Sequence, residues 1–423
     1  MRQFFLRIAG NPFIQNSFIL FVGTMIVNVL NYVFHVVVGR IVPPTSYGEI
    51  ESLISLLTII LVPAGTLTLI ATKYSASLRA QGNQENLRGL SLYLQHKVWV
   101  YGLPIFFLSV FLTPLFQKFL GIENPWSLVF IWCTMFLAFL SAVTLGLLTG
   151  WQRFGDVNKV NIASALLKLG GVLGLLFIGF GVGGVTAGLM LAALLAYLVA
   201  WFLLKKLFKN ERGTQSEIKE ISYASIRQYA LPAFYSTLAV AILGNIDMIF
   251  AKHHLEGVIS GEYASLSVAA KTIFFVTGVL TTVLFAMSSE QNEKKGNMFA
   301  TFWYALSLVS FVAFASVIFF ALFPSFVLGT LFGETYLDVS HLLVWFAIAA
   351  GLYSVGNLIL LYLMSLHEIR VAKYFLALAG LEIAILFFFG ENLYAIIAIT
   401  IVTQILTIIC GSFFLFLKMR RHA

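Results

Sequence analysis

Lys271 lies inside an apolar run, about eight residues from one end and so roughly 12 Å deep at 1.5 Å per residue, beyond comfortable snorkelling from either surface. An ionisable side chain at mid-span costs about 2.5 to 3.5 kcal/mol even on the milder insertion scale, so each one asks for a task. For Lys271 the task is either to face a cleft as a cation or to pair with a carboxylate such as Glu51 or Asp247. Asp247, in Gly244-Asn245-Ile246-Asp247-Met248, must find a cation or a proton, as an H+ or Na+ relay or as the partner of Lys252 or Lys271. Lys168, about eight residues into its own run, divides between a cleft cation and a side chain whose stem reaches the interface. Glu49 and Glu51 open a run, where a helix start favours carboxylates, and Glu51 is also placed for ion coupling. Arg40 and Lys252 close corresponding runs, either as a ring at the mouth of a cleft or as head-group anchors; Glu382 has no partner visible in the sequence.

Other chemistries lack their residues. No G-x-x-x-x-G-K-[ST] loop exists to cradle ATP phosphates, and Gly179, Gly181 and Gly184 spell G-x-G-x-x-G where glycine serves a turn between two apolar runs. His367-Glu368 opens like a zinc-protease helix, yet no second His follows at the required spacing. His253-His254 beside Glu256 has no clear third and fourth ligand. No Ser-His-Asp or Cys-His set appears, and Cys133 and Cys410 both lie inside apolar runs as small core residues. The expectation is therefore no enzyme, no catalytic residue, no metal and no cofactor. A membrane enzyme would instead depend on outer-face groups such as His253, Glu256 and Glu334.

The elements that position these groups are membrane helices. Of the 423 residues 60% are apolar and only 10% charged, with mean hydropathy +0.94, which excludes a water-soluble fold. Apolar windows fall at about 17–39, 48–70, 97–116, 126–148, 160–180, 183–204, 226–250, 263–287, 299–322, 339–363, 373–389 and 392–416, which predicts an all-α polytopic membrane protein with about twelve transmembrane helices. The first window is too long for a signal core and has no Ala-x-Ala site, so it reads as an uncleaved span. With the N-terminus inside, the cytoplasmic side gathers Arg2, Arg7, Lys73 to Lys97, Arg153, Lys159, Lys205 to Arg227, Lys294, Lys295, Arg370, Lys373 and Lys418 to Arg421, while the outer side receives Arg40, Lys118 and Lys252. Such a bias predicts both termini in the cytoplasm, gives the net charge of +8 a topological meaning and leaves no case for nucleic acid.

The polar stretch after the sixth window divides the chain into an N-terminal six-helix lobe at 1–208, a cytoplasmic linker at 209–222 and a C-terminal six-helix lobe at 223–423. Tyr47-Gly48 and its run, ending at Gly82-Asn83, echo Tyr263-Ala264 and its run, ending at Gly296-Asn297, at an offset of 214 to 216 residues. Six spans between copies insert both the same way up, so the lobes are parallel pseudo-symmetric repeats. Gly170 with Gly174, and Gly184 with Gly188, have the spacing that lets helices approach closely, and Pro63 is best placed to kink a helix.

Arg40-Ile41-Val42-Pro43-Pro44-Thr45-Ser46-Tyr47-Gly48, Pro63-Ala64-Gly65, Lys73-Tyr74, Asp247, Gly261-Glu262-Tyr263-Ala264 and Lys271 together resemble the polysaccharide-flippase branch, of O-antigen and teichoic-acid type, of the multidrug/oligosaccharidyl-lipid/polysaccharide exporter (MOP) superfamily. The resemblance covers nearly the whole chain and implies a MATE/MOP-like fold that moves a polyprenyl-pyrophosphate-linked oligosaccharide from the inner to the outer leaflet by alternating access, for cell-surface polysaccharide export. It further implies a place in the cytoplasmic (inner) membrane among membrane lipid, and glycan-assembly membrane proteins as neighbours. Peptidoglycan-precursor flippases of the superfamily carry two further helices that this chain lacks, and the major facilitator signature is missing from Arg79 to Gly89. A pyrophosphate with a lipid tail needs cations in a cleft, which Lys271, Arg40, Lys252 and Lys168 could supply. The alternative within the superfamily is a proton- or sodium-coupled multidrug or metabolite exporter, in which Asp247 and Glu51 bind the ion.

Overall fold

In hydrocarbon a spanning segment must satisfy its backbone internally, so apolar runs of this length form helices. The computed structural model describes residues 12–82, 85–208, 223–293, 298–366 and 368–422; the linker at 209–222, Asn83, Gly296-Asn297 and His367 lie outside them. In chain order the helices are α1 (Pro12–Ile41), α2 (Pro44–Ile60), α3 (Val62–Ala80), α4 (Glu85–Phe111), α5 (Thr113–Leu120), α6 (Pro125–Gly150), α7 (Phe154–Phe177), α8 (Gly181–Phe208), α9 (Tyr223–Leu243), α10 (Ile246–His254), α11 (Val258–Glu293), α12 (Met298–Leu322), α13 (Pro324–Phe332), a 3-10 helix (Glu334–Leu342), α14 (Leu343–Ser365), α15 (Arg370–Phe389) and α16 (Leu393–His422). Among the described residues there is no strand.

Each of the twelve apolar windows falls on one helix or on two that adjoin. Ten helical stretches among the described residues are long and apolar enough to cross a bilayer, or eleven if α4 and α5, bent by 52° at Leu112, count as one span. The bend precedes Pro114, and the interruption between α2 and α3 at Leu61 precedes Pro63; both prolines sit in a first turn, where the missing N–H has no partner within the helix in any case.

The chain forms two compact units. Unit 1 comprises residues 1–34 and 60–231, and unit 2 residues 35–59 and 232–423. In unit 1, α6 packs on α3, α4 and α8. Thr68, Thr72 and Ser75 of α3 donate to the carbonyls of Ala142, Gly146 and Leu147 at 3.3, 3.2 and 2.8 Å, and Gly146 and Gly150 let the two backbones come that close. Between α7 and α8, Gly184 and Gly188 sit against Leu175 and Val172, whereas Gly170 and Gly174 face open space, so the close-approach spacing holds on α8 and not on α7. Gly179 and Gly181 both adopt positive φ, 93° and 53°, in the turn that joins these helices.

In unit 2, α14 packs on α11, α12 and α16, around a core where Phe302 stacks on Tyr362 at 4.3 Å. The two copies of the Tyr-Gly/Tyr-Ala repeat meet here. Gly48 of α2 lies against Ser260 and Gly261 of α11, Gly261 lies against the backbone of Pro44, and Tyr47 and Tyr263 are both fully buried.

Candidate substrate and ion site

The site is built around a broken helix in unit 2. α9 stops at Leu243, Gly244-Asn245 turn, and α10 begins at Ile246. A break within a membrane exposes carbonyls that must find donors, and here side chains supply them. Tyr353 of α14 donates to Val240 O at 2.9 Å, Asn245 Nδ2 to Ala241 O at 2.9 Å, and Gln404 Nε2 of α16 to Leu243 O at 2.9 Å. Asp247 falls in the first turn of α10, where the exposed N–H groups favour a carboxylate.

The break lines a cavity of about 270 Å3, wholly within unit 2, with Lys271, Asn245, Asp247, His35, Glu51, Tyr353, Thr400 and Gln404 contributing its polar wall and Phe274, Phe275 and Phe346 part of its apolar wall. Lys271 Nζ donates to Asn245 Oδ1 at 3.3 Å. An ammonium has three N–H donors, and among the described residues no carboxylate comes within ion-pair distance of this one. Glu51 is held instead by His35, Nδ1 to Oε1 at 2.6 Å, and Asp247 Oδ2 accepts the Tyr263 hydroxyl at 2.8 Å. The two carboxylates named in the sequence as partners for Lys271 thus have partners of their own.

Behind Asp247 lies Glu382 of α15, with no solvent exposure. Among the described residues neither of its carboxyl oxygens has a hydrogen-bond partner, and Asp247 Oδ1 has none either. The hydroxyls of Thr400 and Thr403 stand beside Glu382 but donate to the carbonyls of Ile396, Ile399 and Thr400. Two carboxyl groups and the hydroxyls of Tyr263, Tyr353, Thr400 and Thr403 therefore converge in one oxygen-rich interior. Such a group of oxygens suits a proton or a small hard cation.

The remaining sequence candidates lie elsewhere. Arg40, exposed at the end of α1, donates through Nε to Leu331 O at 2.7 Å and through Nη2 to Thr330 O, satisfying the carbonyls at the C-terminus of α13. Lys252 stands in the last turn of α10 and does not line the cavity. Lys168 belongs to unit 1, where it donates to Asn31 Oδ1 and lies 4.3 Å from the Phe34 ring centroid. His254 Nε2 contacts Leu386 O at 3.1 Å, and His253 stacks on Phe387; no cluster of three metal-ligating side chains occurs among the described residues.

Sequence reasoning passed over His35, although it is an ionisable group within the first apolar window, the very signal that selected Lys271. It also left Glu382 unassigned. Asn245, Tyr263 and Gln404 carry no charge and stand out only once the break in α9–α10 is seen.

The profile of the polysaccharide biosynthesis protein family matches residues 13–291. The chain belongs to that family. No curated protein matches its sequence. Among solved structures, the inward-facing conformation of a multidrug resistance MATE family transporter of the MOP superfamily superposes with a TM-score of 0.71, at 16% identity over 93% of this chain and 94% of that one. The lipid II flippase MurJ in an inward closed conformation gives 0.64, at 15% identity over 93% and 87%. The eukaryotic MATE transporter AtDTX14 gives 0.65, at 11% identity over 96% and 97%. The protein is thus a multi-pass membrane protein of the polysaccharide biosynthesis protein family, with a fold like that of these MATE family transporters and of the lipid II flippase MurJ.

Proposed function

We propose that this transporter moves a polyprenyl-pyrophosphate-linked oligosaccharide from the inner to the outer leaflet of the cytoplasmic membrane by alternating access, and that Lys271 receives the pyrophosphate. The observation that carries this reading is a lysine on a cavity wall whose ammonium, among the described residues, bonds the neutral amide of Asn245 and no carboxylate. A cation held there without a carboxylate leaves its charge available to an anion, and lysine acts on phosphate as a compact point charge whose pull strengthens as water is excluded. The neutral polar groups of Asn245, Thr400 and Gln404 add hydrogen-bonding capacity, and the aromatic wall excludes water. A cavity of about 270 Å3 has the volume of a head group rather than of a whole lipid-linked glycan.

The interior oxygens of Asp247 and Glu382 take the coupling ion in this reading. The same oxygens favour a second reading, a proton- or sodium-coupled exporter of drugs or metabolites, because they would serve any driven transporter. Lys271 separates the two. A photoreactive polyprenyl diphosphate should crosslink to peptides of α10 and α11 in the wild type and lose that label in Lys271→Gln; label that is indifferent to Lys271 but displaced by cationic dyes supports the exporter.

A further inference from the structure

We propose that His35 and Glu51 form a proton-binding site that controls anion affinity at Lys271, so that uptake of a proton at His35 and of a diphosphate at Lys271 favour each other. This rests on the reading of Lys271 as the diphosphate site. His35 Nδ1 and Glu51 Oε1 are 2.6 Å apart, and both residues line the cavity that Lys271 lines. The pair is shielded: the Glu51 side chain is 5% exposed and that of His35 18%.

The groups facing His35 come from several helices. Glu51 and Tyr47 come from α2, the Tyr47 hydroxyl donating to His35 O at 3.3 Å. The same cavity is lined by Asp247 of α10, Lys271 of α11 and Tyr353 of α14. Tyr336 of the 3-10 helix, whose hydroxyl donates to Gly39 O at 3.4 Å, lies in the field of Glu51 and Glu262. With His35 neutral, the charged groups on the cavity wall are Lys271 against Glu51 and Asp247, an excess of negative charge that opposes an anion. A proton on His35 adds one positive charge to the cavity wall and, as an ion pair with Glu51, offsets the negative field of that carboxylate. Histidine is the side chain whose charge changes between about pH 5 and 8. By reciprocity a bound diphosphate favours the proton to the same degree as the proton favours the diphosphate.

The test measures binding of farnesyl diphosphate to the full chain in lipid nanodiscs at about pH 5.5 and pH 8, for the wild type, His35→Gln, His35→Arg and Lys271→Gln, each first shown monodisperse and cooperatively unfolding. The ligand's own titration is common to all four proteins. The wild type is expected to bind at least about fivefold more tightly at the lower pH than His35→Gln binds there, with the two alike at the higher pH. His35→Arg, permanently charged, is expected to bind tightly at both. A His35→Gln protein that keeps the wild-type pH profile while Lys271→Gln abolishes binding overturns the inference and leaves the diphosphate site standing. Binding that is indifferent to Lys271, or absent from the wild type, overturns that site and the inference with it.

Discussion

Buried charge is costly in a membrane protein, and the ionisable residues of this chain differ chiefly in how that cost is met. Lys271 and Asp247 were legible from the sequence because each interrupts an apolar run, but their partners were not. The bonds to Asn245 and Tyr263 depend on a helix break and on a residue sixteen positions away, and the hold of His35 on Glu51 likewise spans sixteen residues across the Pro43-Pro44 turn. No spacing rule reads such contacts. Tyr263→Phe would leave Asp247 without its hydroxyl donor, and thermal unfolding in detergent should show a loss of about 1 to 3 kcal/mol. Glu382→Leu should act in the opposite sense, because it removes a carboxyl group whose oxygens are buried without partners: stability is expected to hold or to rise by roughly 1 kcal/mol, while driven transport falls by more than about tenfold. A strongly destabilised Glu382→Leu protein would mean that this carboxyl group is a structural anchor and not a coupling site.

At the scale of elements, helices followed from continuous apolar runs, and the break at Leu61 was foreshadowed by Pro63, while the break at Leu112 precedes Pro114. The break at Gly244-Asn245, on which the cavity depends, has no proline; its carbonyls are met by Tyr353, Asn245 and Gln404, two of which come from distant helices. Glycine spacing was informative on α8 and uninformative on α7, because spacing places a glycine on a helix face but does not say whether another helix covers that face. The difference is measurable. Gly188→Leu must push into Val172 and should cost about 1 to 3 kcal/mol, whereas Gly170→Ala and Gly174→Ala, facing open space inside a helix, should each stabilise by about 0.5 to 1 kcal/mol in the same unfolding assay.

For the whole molecule, composition alone established a polytopic membrane protein, and the apolar windows located its helices. The compact units are less legible: residues 35–59 group with residues 232–423, a long-range association that no shift in composition marks. Orientation is an expectation from the distribution of Lys and Arg, which predicts the Gly121 and Gly257 turns outside and both termini inside. With Cys133 and Cys410 replaced by Ala, Gly121→Cys and Gly257→Cys should react with a membrane-impermeant thiol reagent added to whole cells, and a cysteine appended after Ala423 should react only after lysis. The claim that matters most is the movement of a lipid-linked anion through a site centred on Lys271. Leaflet-resolved transport of a fluorescent polyprenyl-pyrophosphate oligosaccharide in proteoliposomes tests it most directly, with wild type beside Lys271→Ala and Asp247→Asn. Rapid transfer by the wild type that collapses in Lys271→Ala is the predicted result. A lipid that stays in its leaflet while a cationic dye is pumped in an Asp247-dependent manner would contradict the flippase and establish an ion-coupled exporter in its place.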